Sequence, residues 1–453
     1  MENRITGTYF WRRPQLSRRL MFRHLASAVG GYFLMPTRPL ETVAHAAASP
    51  VNKAKFCVFV YMSGGPSHTD TFDLKEGPWL PAAMNATPYD GMLFPQGVFP
   101  KLAENIDRIA LLRAVRSWVA VHELGRNWIQ IGRNPLSSLA RIAPHIGSVV
   151  SLELGEKSGG NKALPGFVNL NNDNGPSSGY LHPQHAPFYI SPGGAGLGNT
   201  RHPDNQAAFE RRFALMQDLD SELRASSQLN PAGEEIESFN TNARKLMYNA
   251  DVDKIFTFDA AERARYGNTG FGNSCLTARN LIRADMGTRF IQLNVGSWDN
   301  HTNIYQGPFN AANANSLARQ FDAGLGQLIT DLRNEGLLEQ TLIFCMGEFG
   351  RTVGALNTGG GRDHFVTQAV MFAGGGIRGK RAIGVTDSVG SNIIDPQTSL
   401  GRAARAEEIE ATIYSALGIN WLTIRRDDPL NRGFEYVPQA NEGLYGPIHE
   451  LWD

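Results

Sequence analysis

The run Lys55–Met62, KFCVFVYM, is almost wholly apolar and breaks at once into Ser63-Gly64-Gly65-Pro66. A short apolar run bounded by turn residues reads as a buried strand opening into a loop. Similar runs follow at Ile109–Val115, Phe167–Leu170, Phe290–Val295, Thr341–Met346 and Ala369–Ala373. Helical patterns lie between them, at Gln206–Arg224, Leu276–Met286, Ala311–Asn334 and Ala406–Leu417. In the third of these, Leu317, Phe321, Leu325, Leu328 and Leu332 recur at three- and four-residue spacing and make one apolar face. Strands alternating with helices predict an α/β fold with a mostly parallel central sheet flanked by helices. In such sheets the ligand site lies beyond the carboxyl ends of the strands.

One region departs from that rhythm. Residues 171–272 begin with Asn-, Gly-, Pro- and Ser-rich stretches, NNDNGPSSGY and SPGGAGLGN, and continue into charged helical sequence. They read as a loop-plus-helix insertion, a cap over the site.

The 453 residues are 42% hydrophobic and 19% charged, a globular composition. Lys+Arg and Asp+Glu balance at 43 each, which gives no electrostatic footprint for nucleic acid. The three cysteines do not make a disulfide framework; Cys57 and Cys345 sit in apolar runs as small hydrophobes.

At the amino terminus, Ser17-Arg18-Arg19-Leu20-Met21-Phe22 resembles a twin-arginine signal. The apolar run that follows, Leu25–Met35, has 11 residues, against the roughly 20 of a membrane span. Small residues at Ala44–Ala48 then offer cleavage sites. Residues 1–48 therefore read as an export segment and 49–453 as the folded domain. A basic first helix or an uncleaved anchor is the alternative. Export implies a periplasmic or secreted protein that meets the twin-arginine export machinery and has no stable membrane span.

Chemistry-bearing residues cluster after the strand runs. Ser63–Asp73 holds Ser63, Ser67 and His68 as substrate contacts and Asp70 as a metal ligand, or else it is a polar loop that caps its own turns. Ser297-Trp298-Asp299-Asn300-His301 sets a carboxylate two residues from an imidazole, in reach of one divalent cation such as zinc. Gly347–His364, GEFGRTVGALNTGGGRDH, places Glu348 at a strand end, then Arg351, then a glycine-rich loop leading to Arg362, Asp363 and His364. An arginine fork suits a tetrahedral anion, and the carboxylates and His364 suit a metal. After Ile109–Val115 come Ser117, a candidate nucleophile or an ordinary helix cap, and His122, a candidate proton donor.

Together SGGPSHTDTFD, SWDNHTN, GEFGRT with GGRDHF, and AGGGIRGKRAIGVTD resemble the DUF1501 family of bacterial proteins, across nearly the whole mature chain. That family resembles the alkaline-phosphatase-like superfamily, which includes sulfatases. The resemblance implies an alkaline-phosphatase-like core and a metal-assisted site for phosphate or sulfate esters. It assigns Asp299, His301 and His364 to one cation; on a hydrolase reading Glu348 lies at or near it, Arg351 stabilises charge on the transferring group and His122 is the proton donor. It also implies a histidine where Phe349 stands, and a carboxylate at the end of the first strand, where Ser63 and Gly64 stand. The function read from it is an exported metal-assisted ester hydrolase acting on a small-molecule or glycan ester. The alternative is a non-catalytic anion- or glycan-binding envelope protein on the same scaffold.

Overall fold

The computed structural model describes residues 49–155, 162–171, 175–221 and 231–453, the side chains of 231–238 excepted. The export reading of residues 1–48 lies outside the described residues. Eight strands form the central sheet: β1 (Phe56–Met62), β2 (Ile109–Arg116), β3 (Phe167–Leu170), β4 (Phe188–Ile190), β5 (Phe290–Val295), β6 (Thr341–Met346), β7 (Thr367–Gly374) and β8 (Arg381–Ile383). Their order is β8-β2-β7-β6-β1-β5-β3-β4. β1 lies between β6 and β5, parallel to both. Only β7 runs against its neighbours, β2 and β6. The sheet is therefore mostly parallel, as the alternation of runs predicts.

All seven residues of β1 are buried, because both faces of the sheet are covered. Alternate side chains feed two separate cores. Phe56, Val58, Val60 and Met62 pack on one face with α3 (Gly270–Ala284) and α4 (Leu317–Asn334). Cys57, Phe59 and Tyr61 pack on the other with α1 (His122–Ile131), α2 (Ile146–Leu154) and α5 (Ala406–Ala416).

Helix α3 starts six residues before the Leu276 expected from its apolar pattern. Thr269 caps it, its Oγ1 accepting from Gly272 N at 3.0 Å, which carries the helix through the glycines of Gly270-Phe271-Gly272. Helix α4 starts later than expected, at Leu317, because residues 311–316 form turns. The 171–272 segment carries strand β4 and helices at Gln206–Leu219, Pro231–Leu246, Ala250–Phe256 and Ala260–Arg265. Among the described residues no helix is long and apolar enough to cross a membrane.

The lone antiparallel strand shapes the site. Thr367, the first residue of β7, is paired with Arg116, the last of β2. Residues 362–364 therefore arrive at the same end of the sheet as the loops leaving β1, β2, β5 and β6.

Candidate metal centre

His122 is the first residue of α1, whose amino terminus has no side-chain cap. Its Nδ1 lies 2.6 Å from Glu348 Oε1. Glu348 is buried just past β6 and also accepts from Gly64 N at 3.0 Å and Tyr61 OH at 3.2 Å. A carboxylate accepts and does not donate, so the proton of a neutral His122 sits on Nδ1. His364 Nδ1 faces the Ala120 carbonyl at 3.0 Å, another pure acceptor, so its proton is on Nδ1 too.

Both Nε2 atoms are then left with lone pairs, and they face each other at 3.0 Å. Asp299 stands beside them, with Oδ2 3.4 Å from His122 Nε2 and Oδ1 3.5 Å from His364 Nε2. Two lone pairs and a carboxylate this close repel unless a cation lies among them, either a proton on one imidazole or a metal ion. The three donor atoms lie within 4.8 Å of one another. Two imidazole nitrogens and a carboxylate oxygen are a donor set that suits zinc. Each histidine is also oriented through its second nitrogen, as metal-bound histidines are.

Phe349 completes the setting. Its ring, fully buried, is 4.8 Å from that of His122 and 4.7 Å from that of His364. Where the resemblance implies a histidine, the chain places an apolar wall that holds both imidazoles and excludes water behind them.

Arg351 anchors the carboxylate. Its Nη2 donates to Asp299 Oδ1 at 2.5 Å and to Gly64 O. Nε donates to Gly65 O at 2.8 Å, and Nη1 faces Arg362 O at 3.2 Å and His301 Nε2 at 3.3 Å. All five N–H groups of the guanidinium are engaged and the side chain is 1% exposed. Burial pushes the Asp299 carboxyl up, but Arg351, aided by His122 and His301, overrides this and holds it at about 2. The hydrogen bond that His122 donates to Glu348, against partial burial, raises its pKa above the usual imidazole value.

Tight backbone approach makes this possible. Gly64 has φ +108, and a Cβ there would sit 2.5 Å from Asp299 N. The loop Gly359–Gly361 packs on the backbone of His301 and Thr302, and a Cβ on Gly361 would lie 2.0 Å from His301 C. The glycines thus join two loops to each other. An open cleft of about 410 Å³ leads to the centre, bordered by Ser63, His122, Glu123, Arg126, Ser297 and Asp299.

The family of DUF1501, described as a protein of unknown function, matches residues 54–424. The chain belongs to this family. No curated protein matches it in sequence. Similar solved structures include a sulfatase from Pseudoalteromonas sp., 12% identical with a TM-score of 0.39, covering 90% of this chain and 72% of that one. A protein of the alkaline phosphatase superfamily from Vibrio parahaemolyticus is 10% identical with a TM-score of 0.39, over 82% and 68% of the two chains. A phosphonate monoester hydrolase from Silicibacter pomeroyi is 10% identical with a TM-score of 0.39, over 88% and 76%.

Within this family member, the sequence-derived residues separate into two groups. Asp299, Glu348, His364 and His122 come together as described. His301 and Asp363 form an adjoining pair, Nδ1 to Oδ1 at 2.7 Å, while His301 Nε2 lies 2.9 Å from Asp299 Oδ1. The His301 hydrogen bond draws the exposed Asp363 carboxyl below its usual range. Because Arg351 also occupies His301 Nε2, His301 stands outside the three-donor cluster.

The other candidates are engaged within the protein. Asp70 is fully buried and paired with Arg362, Nε to Oδ2 at 2.7 Å, with Ser67 and Tyr305 hydroxyls also on its oxygens. Arg362 also donates to the carbonyls of Thr352 and Gly354, at 2.9 Å each. Ser67 is spent on Asp70. His68 is a satisfied core histidine, Nε2 on Gly390 O at 2.9 Å and Nδ1 accepting from Arg351 N at 3.4 Å; burial lowers its basicity. Ser117 does not open the helix, which starts at His122. Its hydroxyl donates to Glu348 O at 3.0 Å and accepts from Gln368 Nε2 at 2.6 Å. Arg351, saturated, has no donor for a substrate. Glu348 reaches the centre through His122. Arg126, at the cleft, carried no role in the sequence beyond its place after the second strand.

Proposed function

We propose that this chain is an exported, metal-assisted hydrolase of phosphate or sulfate esters, with His122, Asp299 and His364 holding one divalent cation. The observation that carries the reading is the pair of facing Nε2 atoms, 3.0 Å apart, whose other nitrogens are both committed. When bound, a divalent ion at such a centre polarises an ester oxygen and offsets charge that develops on it.

The chain's own residues do the rest. Glu348 fixes the ring of His122, the Ala120 carbonyl fixes His364, and Arg351 fixes Asp299. Phe349 keeps water from behind the ligands. His301, half exposed, is held by Asp363 at Nδ1 and by Arg351 at Nε2 and closes the side of the centre next to Asp299. Ser63 brings a hydroxyl to the cleft. A periplasmic or secreted location, reached through the segment before residue 49, is part of this proposal.

The absence of a carboxylate at the end of β1 favours a second reading, an anion- or glycan-binding protein that does not turn its ligand over. Metal-reconstituted protein assayed on aryl phosphates and aryl sulfates decides between them. Turnover that disappears in Asp299→Ala supports the hydrolase. Binding of these anions with no turnover under any divalent metal supports the second reading.

A further inference from the structure

We propose that Arg116 and Arg405 form a second oxyanion site beside the metal centre, so that the substrate is an ester carrying a further oxyanionic group beyond the one that is cleaved. This rests on the metal-assisted reading above. Arg116 ends β2 and is exposed. Arg405, immediately before α5, is half-buried. Its Nη1 donates to the carbonyls of Arg116 and Ser117, at 2.9 and 3.3 Å, and its guanidinium carbon lies 4.1 Å from the centre of the Trp118 ring. Trp118 stacks in turn on Trp128, ring centres 5.7 Å apart. The guanidinium is thus held, yet only Nη1 is used. Among the described residues, Nε and Nη2 of Arg405 have no acceptor, and the Arg116 side chain has none at all.

The nearby carboxylates are committed elsewhere. Glu407 accepts from the indole Nε1 atoms of Trp118 and Trp128, at 3.1 and 3.0 Å, and Glu408 is paired with Arg402. Burial, and then the neighbouring charge of Arg116, lower the basicity of Arg405. Two uncompensated positive charges repel, and an oxyanion drawn to both relieves the repulsion. A planar guanidinium fork is the donor that matches such a group. The backbone ties the pair to the centre. Ser117, whose carbonyl Arg405 holds, donates its hydroxyl to Glu348 O at 3.0 Å, and Ala120 O faces His364 Nδ1 at 3.0 Å. From Arg116 to Ala120 the chain can span at most about 14 Å, so one substrate can reach both places.

Calorimetric titration tests this, with α,ω-alkanediol bis-sulfates of increasing length, and alkyl monosulfates of matching length, into zinc-loaded and zinc-free full-length protein. The best bis-sulfate is expected to bind zinc-loaded protein about 10-fold or more tightly than its monosulfate, the scale of a charge-assisted contact. Arg116→Ala, at an exposed side chain, should abolish that advantage, and Arg116→Glu should reverse it. Arg405→Lys should lose part of it. Monosulfate affinity of the zinc-loaded protein and zinc stoichiometry should stay unchanged in all three variants. The proposal is overturned if bis-sulfates and monosulfates bind alike at every length, or if Arg116→Ala keeps the advantage. Failure to take up zinc would instead contradict the metal centre. The arginine pair is then read in the zinc-free arm, where bis-sulfate binding indifferent to Arg116 overturns it.

Discussion

The Nε2 atoms of His122 and His364 face each other at 3.0 Å, each on a ring whose Nδ1 already has an acceptor. The arrangement needs a positive charge between the rings, a proton or the metal ion proposed above, and its consequences reach the groups behind the rings.

Glu348 is one such group. Replacing it with Gln keeps the shape but withdraws the charge that makes His122 a better donor. Glu348→Gln is expected to weaken metal affinity by about 10–100-fold, the usual effect of altering a group behind a ligand. A competition titration against a chromogenic chelator measures it, with the thermal midpoint confirming the fold.

Arg351 holds three backbone carbonyls, Asp299 and His301. Its truncation to Ala leaves buried acceptors without donors. The expected loss of stability is about 3 kcal/mol, mostly from the carbonyls, since Asp299 is partly exposed. Lys has three donors in place of five and should recover little of it. Urea denaturation of the two variants gives the comparison.

Asp70 predicts the opposite division of effects. Asp70→Ala strips the buried Arg362 of its counter-charge and should cost roughly 3–5 kcal/mol of stability. Metal affinity of the folded fraction should be unchanged. A large drop in affinity would mean that Asp70 belongs to the site after all.

Glu410 gives a pH dependence remote from the site. Burial raises its carboxyl from 4.5 to about 8, against the pull of Arg133 and a hydrogen bond from Tyr414 OH at 2.8 Å. Its Oε2 has no hydrogen-bond partner among the described residues. Between those two values the folded chain holds a proton that the unfolded chain has released, so stability falls as pH rises through that window. Glu410→Gln should flatten the fall. Its gain over the unaltered chain should be visible at pH 8.5 and absent at pH 4.5; a gain independent of pH would contradict the assignment.

The sheet was legible because its inner strands are short apolar runs broken by turn residues, which is how strands buried on both faces must look. The edge strands β4 and β8 carried no such run and were not readable. Two site loops were legible from their place after strands, where Asp299 and Glu348 lie, whereas His364 reaches the same end of the sheet through the loop that leads into the antiparallel β7. What composition cannot distinguish is a carboxylate or guanidinium facing a cleft from one neutralised inside the protein. Asp70 and Arg362 are 292 residues apart, and only the fold shows that they neutralise each other. His122 was read as an acid rather than a ligand, because its sequence neighbourhood does not reveal that a helix start and the turn into β7 converge.

Equilibrium dialysis against zinc, with metal and protein quantified together, tests the centre most directly. One ion per full-length chain is the predicted result, with uptake abolished by either His122→Ala or His364→Ala in variants that remain folded. A chain that binds no divalent ion, or whose uptake is indifferent to both histidines, would contradict it.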